Sequence, residues 1–148
     1  MREITYALRF TGQATPAGPD GNVLHASTSA PSATITSQIG PEGVTGTIAG
    51  ISGGDASFTS EVTFTSETDF LETGTITFGE GNTLTFSTVG RGCLLPSADP
   101  SRKHGTVMWR VEQGTGQFAG ATGLITSNFF VDDQLGVVDH HLGVVLLP

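Results

Sequence analysis

Strict alternation of polar and apolar residues is the feature that most constrains what this chain can fold into. In "EITYALRFTG", Ile4, Tyr6, Leu8 and Phe10 share one face of an extended chain, and the other face carries Thr5, Arg9 and Thr11. Side chains alternate across a β-strand, whereas a helical face repeats every ~3.6 residues, so the pattern predicts a half-buried strand. The stretches "ASFTSEVTFTS", "DFLETGTITFG" and "TVMWRVEQ" repeat it.

Turn signals divide the chain into about eight such strands. They are "GPEG", "SGGD", "EGN" and "DDQLG", and the composition, with 21 glycines among 148 residues, lacks the runs of strong helix formers that a helical protein needs. We therefore predict an all-β fold in a single domain spanning residues 1–148. Regularly spaced strands of this kind are typical of a closed barrel or a sandwich.

The charge balance excludes some partners. Fourteen acidic residues against six Lys and Arg give a net charge of −8. Such a surface repels phosphate backbones and anionic lipid, so we expect no nucleic-acid and no membrane partner. The sequence shows no apolar h-region and a single cysteine, Cys93, which predicts a cytoplasmic protein in a reducing compartment.

The glycine-rich run "GTGQFAGATG" raises the question of a nucleotide cofactor. Gly114, Gly116 and Ala119 match the letters of the G-x-G-x-x-G/A fingerprint. That fingerprint works only where the glycine turn opens a helix whose N-terminus meets the pyrophosphate. The residues that follow are glycine, β-branched and aromatic, which favour a strand. We therefore predict a structural corner and expect no cofactor.

The same run, Gly114 to Gly123, resembles the corner shared by allene oxide cyclases and dirigent proteins, and the resemblance is strongest from Thr83 to Pro148. It implies an antiparallel eight-stranded barrel that holds one small hydrophobic molecule, assembles into oligomers, usually trimers, and steers or cyclises its ligand. The cyclase's catalytic glutamate, cysteine and tyrosine are not carried over. Their positions would fall near Leu8 or Arg9, Glu61 or Val62, and Arg91 or Gly92.

Glu72 is the carboxylate of most interest. It shares strand parity with Phe70, Ile76 and Phe78, so an apolar face that lines a barrel would carry it inside. Burial raises the pKa of a carboxyl group and makes it a candidate proton shuttle. The alternative is a position in water at the barrel mouth.

The "DHH" run in the last strand supplies a second catalytic candidate. Adjacent histidines on a strand point to opposite faces, and His140 shares the more apolar face with Val138, Leu142 and Val144. We therefore expect His140 to point inward, as a general acid or base. The alternative is a histidine that serves structure or an interface. No H-x-H ligand motif accompanies it, and we expect no metal site.

Aromatic residues on the apolar faces are candidates for a ligand-binding wall or for ordinary core packing. They are Tyr6, Phe64, Phe70, Phe86, Trp109 and Phe129. The apolar terminus "LGVVLLP" predicts a last strand that is buried on both faces, and hence a homo-oligomer, a dimer or trimer.

Three functions remain open at this point. The first is a cofactor-independent cyclase or isomerase that acts on a small, natural-product-like substrate. The second is a non-catalytic binding or steering barrel, and the third is a structural oligomer with a filled interior. An empty interior pocket would favour the first two over the third.

Overall fold

The computed structural model describes residues 1–148, and almost all of the chain is extended. One turn of 3-10 helix at Gly116–Phe118 is the only helical segment, and no helix has the length and apolar character needed to cross a membrane. The all-β prediction is confirmed. The strands are β1 Arg2–Ala17, β2 Val23–Gly40, β3 Gly43–Phe64, β4 Asp69–Phe78, β5 Thr83–Thr88, β6 Gly92–Pro96, β7 Arg102–Gly114, β8 Thr122–Asp132 and β9 Gly136–Leu147.

The strands form one antiparallel sheet that closes on itself. The order is β3-β2-β1-β9-β8-β7-β5-β4, and pairing between β3 and β4 completes the ring. Both β5 and β6 lie between β4 and β7, so they occupy one strand position that is interrupted at residues 89–91. The ring therefore has eight strand positions, as the predicted barrel requires. Closure leaves the sheet within the ring without a free edge.

The barrel interior is filled in its middle by aromatic rings. Phe86 stacks on Trp109 with ring centroids 4.1 Å apart, and Phe58 lies 5.7 Å from the same indole. All three side chains are at most 2 % exposed. The alternation of the strands puts them on the inner face, where burial of apolar surface stabilises the fold.

The glycine corner has a structural role in the fold. No α-helix follows it, since the single 3-10 turn leads directly into β8. Gly116 and Gly120 have φ angles of 61° and 75°, a left-handed conformation that glycine adopts without strain. A Cβ on Gly114 would come within 2.1 Å of the carbonyl oxygen of Phe118. The helix that the nucleotide fingerprint needs is absent.

The turn at "GPEG" was predicted from the sequence, but the extension of the hairpin beyond the barrel was not. Beyond the barrel, β2 and β3 continue as a two-stranded ribbon from the pair Ala33/Gly50 to the pair Gly40/Gly43. Pro31 does not end β2, because the ladder accommodates it with a register shift between Pro31 and Ala33.

The last strand buries only one of its faces within the chain. Val145 and Leu147 point into the core, at 0 % and 6 % exposure, whereas Leu142 and Val144 are 50 % and 40 % exposed on the outer face. The single chain therefore leaves the outer face uncovered, and its coverage by a second subunit stays a prediction.

Candidate functional site

One end of the barrel opens into a cavity of about 340 Å³. The floor of the cavity is formed by Phe58, Glu72 and Asp139, which are at most 5 % exposed. Its rim carries Asp132 and Asp133, which lie at the surface. Most of the wall is apolar. It is lined by Ala14, Leu24, Ala26, Phe58, Val62, Phe64, Phe70, Glu72, Leu94, Lys103, Phe129, Val131, Asp132, Asp133, Leu135, Val137 and Asp139.

The cavity brings together half of the predicted aromatic wall. Phe64, Phe70 and Phe129 line it, with Phe70 5.8 Å from Phe64 and 6.0 Å from Phe129 between ring centroids. The other three candidates, Tyr6, Phe86 and Trp109, do not line it. Phe86 and Trp109 belong to the aromatic layer of the core, and Tyr6 contacts Phe78 with centroids 5.1 Å apart.

Glu72 lies inside the barrel, as its strand parity predicted. It is 5 % exposed, and each of its carboxyl oxygens has a hydrogen-bond donor. The Ser60 hydroxyl donates to Oε1 at 2.6 Å, and the Trp109 indole N–H donates to Oε2 at 3.2 Å. The position follows from β4, in which Phe70 and Ile76 on the same face are also buried.

Burial controls the ionisation of this carboxyl group. Loss of water raises the pKa of Glu72 from 4.5 to about 8, and the negative charge of Asp139 also raises it. The hydrogen bonds from Ser60 and Trp109 act in the opposite direction and are outweighed. At neutral pH Glu72 is therefore a carboxylic acid. An indole N–H can only donate, so Oε2 accepts in both forms. In the carboxylate, Oε1 accepts from the Ser60 hydroxyl; in the acid, Oε1 carries the proton and donates to the Ser60 oxygen, because a hydroxyl can rotate and accept.

His141, not His140, points into the barrel, so the predicted orientation of the histidine pair is wrong. His141 is 2 % exposed and Phe10 lies 4.4 Å from it between ring centroids, whereas His140 is half-buried on the outer face. The outer face of β9 carries Val138, Leu142 and Val144 and is more apolar than a water-facing surface usually is. Hydrophobicity alone therefore favoured the wrong parity.

The inward face of β9 carries a second acidic group, which was not predicted from the sequence. Asp139 accepts a hydrogen bond from the Ser127 hydroxyl at 2.7 Å, and its Oδ2 lies 3.0 Å from Nε2 of His141. The signal was present in the sequence, because residues two apart on a strand share a face and a buried histidine is usually accompanied by a partner.

Two buried polar atoms near this network have no partner. They are the hydroxyl of Tyr6 and Nδ1 of His141. Burial, together with the negative charge of Asp139, raises the pKa of Tyr6 above its ordinary value of 10. The phenol therefore stays protonated. The structure contains no group of three or more His, Cys, Asp and Glu side chains that could hold a metal ion.

Comparison with known proteins gives a match among solved structures. No protein-family model and no curated protein matches the sequence. Among solved structures, the pterocarpan synthase dirigent protein GePTS1 matches with a TM-score of 0.51 and 14% sequence identity, over 99% of this chain and 89% of that chain. At this identity the match shows the fold alone. The resemblance predicted from the glycine corner is confirmed at that level, and the chain has the dirigent-like barrel fold.

Proposed function

We propose that this chain binds one small hydrophobic molecule in the cavity and that Glu72 exchanges a proton with it, as in a cofactor-independent isomerase or cyclase. The observation that supports this proposal is a carboxylic acid with a pKa of about 8 on the floor of an apolar cavity. A group that titrates this close to neutral pH can both give and take a proton, which is what general acid–base catalysis requires.

The size of the cavity supports a ligand over a purely structural interior. About 340 Å³ falls within the range of roughly 300–1,000 Å³ that small-molecule pockets occupy. The adjacent aromatic layer around Trp109 shows that this barrel packs its interior tightly where no cavity is needed. An unfilled volume next to such a layer is the arrangement expected of a binding pocket.

The two carboxyl groups on the cavity floor, Glu72 and Asp139, suit an isomerisation in which the ligand gains one proton and loses another. Glu72 would donate its proton to one atom of the ligand while Asp139 removes a proton from another, so that the ligand changes its bonding and no oxidant or reductant is needed. Acid–base groups of this kind typically contribute about 10²–10⁴-fold to rate. His140 lies on the outer face and has no part in this chemistry.

A passive binding or steering barrel is the second candidate. One observation favours it, because both carboxyl groups on the floor already have their hydrogen bonds satisfied within the protein, Glu72 by Ser60 and Trp109, and Asp139 by Ser127 and His141. In that case the cavity supplies shape and exclusion of water alone.

Binding is tested with the neutral fluorescent probe N-phenyl-1-naphthylamine. Ala26 lines the cavity and is 9% exposed, so Ala26→Phe fills part of the volume and should abolish the rise in fluorescence. Ala98→Phe, at an exposed loop position, is the matched control and should bind as the unmodified chain does. Equal binding by Ala26→Phe, or no binding by the unmodified chain, would contradict the proposal.

Proton transfer is tested separately from binding. Molecules that copurify with the barrel are identified by mass spectrometry and returned to the protein in D₂O. Deuterium incorporation at carbon that is lost in Glu72→Gln, while binding persists, supports the isomerase. Bound ligand that gains no carbon-bound deuterium with either protein supports the passive barrel.

A further inference from the structure

The ribbon formed by residues 33–50 has an apolar face that nothing in the chain covers. Cross-strand partners share a face, and Ile35 pairs with Ile48 while Ile39 pairs with Val44. The opposite face carries the polar pairs Thr36/Thr47 and Gln38/Thr45 and the pair Thr34/Ala49. An amphipathic alternation of this kind is typical of a strand pair whose apolar face is buried.

The exposure of this face increases toward the tip. Ile35 and Ile48, near the barrel, are 42% and 40% exposed, whereas Ile39 and Val44 at the tip are 86% and 71% exposed. An isolated two-stranded ribbon is marginally stable in water, and exposed apolar surface of this extent usually marks an interaction site.

The base of the ribbon adjoins an apolar groove on the barrel. Ile35 and Ile51 from the ribbon side, with Ile4, Leu8, Phe78 and Leu142 from the barrel, are among the residues that line this groove. One continuous apolar surface therefore runs from the groove to the ribbon tip. It offers a recess at one end and uncovered Ile39 and Val44 at the other.

The charge distribution permits a second copy of the chain as the partner at this surface. The chain has a net charge of −8, so two copies repel each other over most of their surface. The ribbon is an exception, because Glu42 at its tip is the only charged residue between Ala33 and Gly50. Its free edges also lack the lysines that usually prevent strand association. A second copy of the chain can approach here with little repulsion.

We propose that two copies of this chain form a two-fold dimer by packing the apolar faces of their ribbons together in opposite directions. The tip of each ribbon then reaches the groove at the base of its partner's ribbon. The ribbon face spans roughly 25 Å from base to tip, and sheets pack face to face at about 10 Å. Ribbon face and groove together supply roughly 20 residues per copy, as in a standard interface that buries about 800 Å² per partner.

The middle of the ribbon allows the close approach that a two-fold axis requires. Ser37 pairs with Gly46 on the apolar face, halfway between the pairs Ile35/Ile48 and Ile39/Val44. These small residues lie where the two ribbons cross, and a Cβ on Gly46 would meet no atom of its own chain within 4 Å. Each Ser37 thus faces the Ser37–Gly46 pair of the second copy.

Light scattering at micromolar concentration tests the dimer. The unmodified chain should give twice 15.3 kDa. The double variant Ile39→Thr/Val44→Thr keeps β-branched residues in the strands but removes the apolar tip, and it should weaken dimerisation at least a hundredfold. The matched control Gln38→Ser/Thr45→Ser alters the polar face and should remain dimeric. Binding of the fluorescent probe to each variant shows that the barrel is folded.

Crosslinking tests the two-fold geometry directly. In a Cys93→Ser background, a bismaleimide long enough to span the roughly 10 Å between packed sheets should crosslink Ser37→Cys between two copies, whereas Thr36→Cys on the polar face should be crosslinked at least tenfold more slowly. A monomer of 15.3 kDa, a trimer, an unchanged mass for Ile39→Thr/Val44→Thr, or equal crosslinking at the two positions would each overturn the proposal.

Discussion

The buried carboxyl group of Glu72 should make the stability of this barrel fall as the pH rises. Its pKa is about 8 in the folded chain and near the ordinary 4.5 once the chain unfolds. Between these values the folded state holds a proton that the unfolded state has released, so the free energy of unfolding decreases with pH. The contribution is fully present below pH 4.5 and fully lost above pH 8.

The magnitude follows from the size of the pKa shift. Each pH unit between the two pKa values costs about 1.4 kcal/mol, so the whole interval costs about 5 kcal/mol. Domains of this kind are stable by only about 5–15 kcal/mol, which makes one carboxyl group a large part of the total. The hydrogen bonds from Ser60 and Trp109 favour the ionised form, and the folded-state pKa of about 8 already includes their effect.

Urea unfolding followed by circular dichroism from pH 5 to pH 9 measures this contribution. Glu72→Gln is uncharged at every pH, and its amide can still donate to Ser60 and accept from Trp109. Its stability relative to the unmodified chain should rise by about 4 kcal/mol between pH 5 and pH 8. Glu67→Gln, at an exposed position, should track the unmodified chain. A difference between Glu72→Gln and the unmodified chain that stays constant across this range would refute the reasoning.

Two further substitutions test by urea unfolding one contact at the cavity floor and one in the glycine corner. Asp139→Ala leaves the buried Nε2 of His141 without its partner and should cost about 3–5 kcal/mol, and retention of full stability would show that the pair is not formed. Gly114→Ala places a Cβ within 2.1 Å of the Phe118 carbonyl and should cost about 1–3 kcal/mol. Gly54→Ala, where a Cβ meets nothing within 4 Å, should change stability by less than about 0.5 kcal/mol; equal losses would argue against the steric explanation.

The inner face of the barrel could be predicted from the sequence wherever one face of a strand is clearly the more apolar. Phe70, Ile76 and Glu72 share a parity, and the two apolar residues decide the direction of the third. Closure of the sheet leaves β4 no freedom to turn that face outward. The burial of Glu72 was therefore predictable, although its partners Ser60 and Trp109 come from other strands and were not.

The alternation of side chains did not predict the inward face of β9, because both faces of this strand contain apolar residues. The outer face of β9 carries Leu142 and Val144, and the inner face carries Asp139 and His141. The side-chain pattern of one strand does not show which of its faces points into the barrel. Pairing with β1 and β8 settles the direction, and that information is not local.

The extension of the ribbon beyond the barrel could not be predicted, for a related reason. Ile35 and Ile39 alternate with polar residues just as the barrel strands do, so the pattern indicates a face that will be buried but not what buries it. Where the strands leave the barrel depends on how far β1 and β4 extend alongside them. The cavity was unpredictable in the same way, because its volume depends on side chains from most of the strands.

The hydrogen bond between Trp109 and Glu72 gives this protein an internal optical reporter. Trp109 is the only tryptophan, so the indole fluorescence of the folded chain comes from one ring in one environment. The charge that appears when Glu72 ionises lies 3.2 Å from the indole nitrogen, where it acts on the electronic transition of that ring. The emission spectrum therefore reports the protonation state of the cavity floor, in the unmodified protein and without an added label.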